Sequence, residues 1–191
     1  MRRLRYLALK WQLIVLLQVS ARRAVEACLD KLIDQYPQDD YAPATRAHLL
    51  AQDGDKQAAL HAMRALVASF PGKGMHWFNL GFLLEELHQY AQAEPCFRRA
   101  TELEPKLDRA WYGLGLVLIR LERFDEAVAA LKQNTTLQPM SPYGWYQLAR
   151  VHVDRHDPEE ARKIIRHLKR FEPKVAAQLE RETGILVPPA G

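Results

Sequence analysis

Residues 76–105 read HWFNLGFLLEELHQYAQAEPCFRRATELEP, and five of them, WFNLG from Trp77, decide the fold because they return. WYGLG begins at Trp111 and WYQLA at Trp145, each 34 residues further on. Self-similarity at a fixed period of this length marks an array of small copied units. The prolines give the period independently: Pro37, Pro71, Pro105, Pro139 and Pro173 are also spaced by 34. Five units are expected, the first two without the tryptophan.

The unit over residues 74–107 reads as two short helices. Trp77, Leu80, Gly81 and Leu84 share one helical face, and Ala93, Phe97 and Ala100 form a second stripe. The pattern changes phase between them, around His88 to Tyr90, which places a tight turn there. Gly81 and Ala93 are small where two backbones must approach, and Trp77 and Phe97 fill the space beside them. Pro105 ends the second helix, and Pro95 is expected within that helix's first turn, where its missing N–H goes unused.

These residues resemble the tetratricopeptide repeat family. The matching positions are Trp77, Leu80, Gly81, Leu84, Tyr90, Ala93, Phe97, Ala100 and Pro105, then Trp111, Leu114, Gly115, Leu118, Phe124, Ala127, Leu131 and Pro139 in the next unit. The fifth unit keeps Trp145, Leu148, Ala149, Ala161, Ile165 and Pro173, but has Pro158 where Tyr90 and Phe124 stood. The second, residues 40–73, keeps Ala47, Leu50, Gly54, Ala59, Met63 and Pro71, with Pro43 in place of tryptophan. The first, residues 6–39, is the most degenerate. The resemblance covers about 170 residues and implies an all-α, right-handed α-solenoid of about five helix-turn-helix repeats. A capping helix over 174–183 should stop at Gly184, and ILVPPAG should trail from it as an extended, poorly ordered tail. The expected segments are 1–39, a degenerate first helix pair; 40–175, repeats two to five; and 176–191, the end of the cap and the tail.

The resemblance also implies a role: a non-enzymatic scaffold or adaptor that binds a protein or peptide segment along the first helices of its repeats. Carried over, the groove residues are His48; Met75, Phe78, Asn79 and Phe82; Arg109, Tyr112 and Leu116; and Tyr143, Tyr146 and Arg150. Aromatics with arginine suit a binding hot spot. Phe78, Tyr112 and Tyr146 share one repeat position, where plain packing also accounts for an aromatic. The carboxylate clamp of some family members is not matched, because Ala44, His48 and Gly113 stand where it wants Lys, Asn and a basic residue.

Composition sets the bounds. The chain has 191 residues, 48% hydrophobic and 26% charged, with net charge +4. That balance suits a soluble core and is too weakly basic to argue for nucleic acid. The basic run Arg162, Lys163, Arg166, His167, Lys169 and Arg170 has no interleaved aromatic, so RNA binding is the lesser alternative. Cys28 and Cys96 form no metal spacing and fit a reducing, cytoplasmic setting. His152 and His156 share a helix face, yet no third ligand is evident, so no metal is expected. No phosphate loop or nucleophile motif is present, and neither enzyme activity nor a cofactor is expected.

The first 23 residues, MRRLRYLALKWQLIVLLQVSARR, leave alternatives open. The apolar run is too short to span a bilayer. A secretory leader ending near Val19-Ser20-Ala21 is conceivable, but its cleavage would strip the partner from the stripe Val25, Cys28, Leu29 and Leu32. A first helix, apolar on most sides, is favoured. Its surplus apolar surface points to homodimerisation through Leu9, Trp11, Leu13 and Leu16, or to a membrane surface aided by Arg2, Arg3 and Arg5.

Overall fold

The computed structural model describes residues 2–19 and 21–188. The Arg2 side chain, Ser20 in the cleavage-like sequence and the last three tail residues lie outside the description. The described residues form eleven α-helices and no strand. They fall into two compact units, residues 1–72 and 73–191. The first holds α1 (Arg2–Gln18), α2 (Arg22–Gln35), α3 (Tyr41–Gln52) and α4 (Lys56–Ser69). The second holds α5 (Gly74–Glu86), α6 (Tyr90–Leu103), α7 (Asp108–Arg120), α8 (Phe124–Leu137), α9 (Pro142–Asp154), α10 (Pro158–Lys169) and α11 (Pro173–Thr183). Within each unit successive helices pack as hairpins, and each hairpin stacks on the next, the arrangement of an all-α repeat solenoid.

The period of 34 is written in the backbone as well as in the side chains. Gly54, His88, Glu122 and His156, each 34 residues from the last, turn the chain between the two helices of a repeat at φ 81, 57, 58 and 57°. The left-handed conformation is free for glycine and strained for the other three. The helix that follows starts at once: Asp55 accepts from the Ala58 N–H at 3.0 Å, and Asp157 caps α10 in the same way. Pro158 departs from the repeat pattern because it is the first residue of α10, where its fixed φ suits a helix start. Pro95 lies deeper than expected, at the sixth position of α6. Its missing N–H there removes a bond to the carbonyl of Ala91, and both residues lie on the exposed side, so the helix runs on unbroken.

The two sequence landmarks share a period because they are bonded to each other. The Trp111 indole N–H donates to the Pro105 carbonyl at 2.9 Å, and Trp145 donates to Pro139 at 2.9 Å. Each tryptophan thus ties a first helix to the proline that ended the previous repeat. Asn134, buried on α8, donates from Nδ2 to the Asp108 carbonyl at the start of α7, 2.9 Å away. Glu104 accepts from the Met75 N–H at 3.0 Å and so caps α5 from beyond the end of α6.

Glycines set the helix spacing. Phe97 is fully buried, and its ring lies between Gly81 of its own repeat and Gly113 of the next. A Cβ on Gly81 would stand 3.1 Å from that ring, and one on Gly113 only 2.6 Å. Gly115 faces Leu131 in the same way, with 2.7 Å for an added Cβ.

The cap behaves as the sequence suggests at its stop and differs beyond it. Gly184 ends α11 with φ 70°, as a left-handed glycine cap. Of the tail, the described residues 185–188 are anchored at Val187 rather than free. Val187 is buried, its N–H donates to Glu180 Oε1 at 2.7 Å, and Lys169 donates to its carbonyl while pairing with Glu180 at 2.8 Å. A satisfied backbone at both faces of one residue is what the expectation of a loose tail missed.

Within the first unit, Leu13 of α1 is fully buried in a cluster with Val25, Cys28, Leu29, Leu32 and Ala42. Leu9 and Leu16 pack against the same cluster. Of the four residues expected to drive self-association, only Trp11 is free, because the inner face of α1 is used to cover α2.

Two tests follow from this packing. Gly113→Ala drives a methyl into the Phe97 ring and should cost about 1–3 kcal/mol in thermal or denaturant unfolding. Gly72→Ala, with nothing within 4 Å of the new Cβ, is the control and should leave the midpoint unchanged. His152 gives the second. It is buried on α9, with Nδ1 3.2 Å from Asp157 Oδ2. Burial lowers its pKa below the ordinary 6.5, with Asp157 opposing. A depressed native value means the unfolded chain binds the proton more tightly. Stability is therefore retained above pH about 6.5 and lost as pH falls from there through the native value. Unfolding curves for His152→Gln should lack that part of the acid slope.

Candidate functional site

The expected binding surface divides between the units. His48 is an exposed residue of α3 and belongs to the first unit. The other ten residues come together in the second unit on α5, α7 and α9, which pack side by side. Three helices a repeat apart present the same four positions in register, which yields rows of side chains across the face. One row is Met75, Arg109 and Tyr143; the next is Phe78, Tyr112 and Tyr146; a third is Phe82, Leu116 and Arg150; Asn79 adds a polar position beside them.

The face changes character along its length. At the α5 end the Phe78 ring lies 6.0 Å from Phe97 and 6.3 Å from Phe82, centroid to centroid. The Arg109 guanidinium sits 5.2 Å above the Phe78 ring, close enough for a cation–π contact. Phe82 is 49% exposed and Tyr143 70%, so large apolar surface meets solvent on both sides of that arginine. Phe78 thus does two things: it packs inward on Phe97 and carries Arg109 outward.

In the middle, Tyr112 is half-buried. Burial raises its phenol pKa, while the Gln147 side chain lowers it. Glu85 stands nearby on α5, a residue the sequence reading passed over. Burial pushes its carboxyl pKa up, against the pull of Arg120. Nothing in the repeat pattern points to Glu85, since its counterparts, Ile119 and Val153, are apolar.

At the α9 end the surface is already engaged. The Tyr146 hydroxyl donates to Glu182 of α11, and Arg150 Nη1 lies 3.3 Å from that hydroxyl and 3.5 Å from the same carboxylate. Gln178 also donates to Glu182 at 2.8 Å. The Tyr146 hydrogen bond, first, and that of Gln178 hold the Glu182 carboxyl below its usual range. The cap helix occupies the place a further repeat would take, so Tyr146 and Arg150 have their partner within the chain.

The remaining candidates separate. His152 is buried, while His156 sits exposed in the turn, and among the described residues no group of histidine, cysteine or carboxylate side chains could hold a metal ion. Cys28 and Cys96 are buried, and burial raises the Cys28 thiol. On α10, Arg162 pairs with Glu159, Lys163 with Glu160, and Lys169 with Glu180, which leaves a mixed rather than a basic face.

Comparison with known proteins gives the family and the fold. A family model described as a tetratricopeptide repeat matches residues 45–87 and 83–144, together more than half of the chain. No curated protein sequence matches. Among solved structures, YrrB, described as a TPR protein with an unusual peptide-binding site, superposes with a TM-score of 0.76 at 19% identity, over 88% of each chain. MamA from Desulfovibrio magneticus RS-1 gives 0.72 at 20% identity, over 93% of this chain and 96% of its own. A further MamA structure gives 0.75 at 14% identity, over 96% and 98%. At these identities the likeness is one of fold.

Glu85 offers a measurement on the face itself. Its carboxyl pKa is raised in the native state, so its contribution is most favourable below the unfolded value of 4.5 and is lost as pH rises through the native value. Glu85→Gln should unfold like the native chain at low pH. It should become the more stable of the two as pH rises to neutrality, read from urea midpoints at several pH values.

Proposed function

Because the chain belongs to the tetratricopeptide repeat family, whose members are generally non-enzymatic scaffolds for protein partners, we propose that it binds a peptide segment on the α5–α7–α9 face. The observation that carries this reading is the exposed cluster at the α5 end: Arg109 stacked on Phe78 and flanked by Phe82. Packing alone accounts for Phe78, which contacts Phe97. It does not account for Phe82, half in water, or for an arginine parked on an aromatic ring in solvent. Stacked aromatics and arginine lose little conformational freedom when a partner arrives, which is what concentrates binding energy in a hot spot.

The segment this face suits presents an apolar side chain to Phe82 and Leu116 and a carboxylate or backbone carbonyl to Arg109. The description of YrrB as a peptide-binding TPR protein supports the reading by analogy of fold. A cytoplasmic setting is part of the proposal, in keeping with a sequence that has only two cysteines, Cys28 and Cys96.

Selection of peptides from a displayed library on the full chain supplies a ligand, and calorimetry measures it. Phe82→Ala and Arg109→Ala should each weaken binding by about 2 kcal/mol, roughly 30-fold, with helicity by circular dichroism unchanged. Tyr146→Ala should matter less, since its hydroxyl is held by Glu182. A selected peptide whose affinity ignores both Phe82 and Arg109 refutes the proposed face.

A further inference from the structure

Helix α1 spends only its inner side on the protein. Leu9, Leu13, Leu16 and Leu17 turn toward α2, and Lys10 also turns inward, its ammonium 3.8 Å from the centre of the Tyr41 ring and 5.1 Å from that of Tyr6. The outer side is a continuous stripe of large apolar groups in water: Leu4 at 72% exposure, Leu7 at 44%, Trp11 at 67%, Ile14 at 38% and Val15 at 57%. At 3.6 residues per turn these share one side of the helix, with Arg3 at its edge beside Ile14, while Arg5 falls off the stripe, nearer the angular position of Leu16. Both arginines are exposed, and no carboxylate among the described residues pairs with either. The helix contains no aspartate or glutamate. Arg23, exposed at the start of α2, adds a further cation just past its far end.

This charge pattern selects the occupant. A second copy of α1 laid on the stripe in parallel sets Arg3 and Arg5 against their own counterparts. Laid antiparallel, it sets them toward Gln18 and the Arg22–Arg23 end of the partner helix. The carboxylates at that end, Glu26 and Asp53, are already paired with Arg22, so neither direction offers Arg3 and Arg5 an uncommitted negative charge. A surface of anionic lipid headgroups supplies it at the Arg3 edge and at the Arg23 end while the stripe enters the acyl boundary, and an indole at mid-stripe is at home at that depth. At 17 residues with a lysine inside, the helix lies on such a surface; no helix among the described residues is long and apolar enough to cross one. We infer that the outer face of α1 docks the chain onto an anionic phospholipid surface. This is independent of the peptide face, which lies in the other unit.

The test is flotation of the full chain with vesicles of equal parts phosphatidylcholine and phosphatidylglycerol, beside vesicles of phosphatidylcholine alone. The native chain should float with the mixed vesicles at low salt, float poorly with the neutral ones, and be released as salt rises. Trp11→Glu with Val15→Glu changes only exposed positions and should lower binding about tenfold or more. Arg3→Glu with Arg5→Glu leaves the stripe intact and should lower it comparably at low salt. Circular dichroism establishes that both variants are folded. The inference is overturned if the native chain does not float with the mixed vesicles, if it binds neutral vesicles equally well, or if both variants float as it does. It is also overturned if sedimentation reveals a dimer that Trp11→Glu with Val15→Glu returns to monomer, for then a second copy is the occupant.

Discussion

The second unit depends on one close approach: the Phe97 ring held between Gly81 and Gly113. A helix pair alone cannot bury its apolar face, so a repeat protein stands or falls on the contact between neighbours. Here one side chain makes both contacts. Through Gly81 it sets the spacing of its own hairpin, and through Gly113 the spacing to the next. Gly115 against Leu131 repeats the first half of that device a period later. The indole-to-proline bonds of Trp111 and Trp145 then fix the angle at which each new repeat starts. Phe78 lies against Phe97 and carries Arg109 on its other side. The packing that spaces the helices therefore also sets the height and tilt of the exposed cluster.

Much of this was legible in the sequence because the period is physical. Tryptophan and proline recur together since one donates to the carbonyl of the other, and the small residues recur since a helix passes over them. The turn position was harder to read. Gly54 announces a left-handed residue, but His88, Glu122 and His156 occupy the same conformation without announcing it. Only the repeat spacing links them. Pro158 looked like a departure and is a helix start, because composition at one position cannot tell a broken pattern from a shifted boundary.

The misses have a common cause: they involve contacts between segments outside the repeat. Glu182 takes Tyr146 and Arg150, and Lys169 with Glu180 pins Val187, and none of these pairs follows from a period of 34. The inner placement of Leu9, Leu13 and Leu16 was missed for a related reason. A helix apolar on nearly every side has no phase to read, so which stripe meets the protein is decided by the partner helix rather than by its own pattern. Glu85 escaped notice because its repeat counterparts are apolar, and a single exception in a column carries no periodic signal.

The cap helix has a consequence for the face it borders. Arg150 and Tyr146 occupy the same repeat positions as Phe82 and Phe78, yet they are neutralised in cis by a carboxylate that α11 brings to them. A partner entering at that end must displace Glu182 before it gains anything, and the exchange of one carboxylate for another is nearly even. At the α5 end no such competitor is present among the described residues: Arg109 has an aromatic beneath it and solvent above. The chain's own ion pairing thus grades the face, closed where the array is capped and open where Phe78, Phe82 and Arg109 meet. Ligand affinity is expected to concentrate at the open end, although the rows of aromatic residues run the whole length.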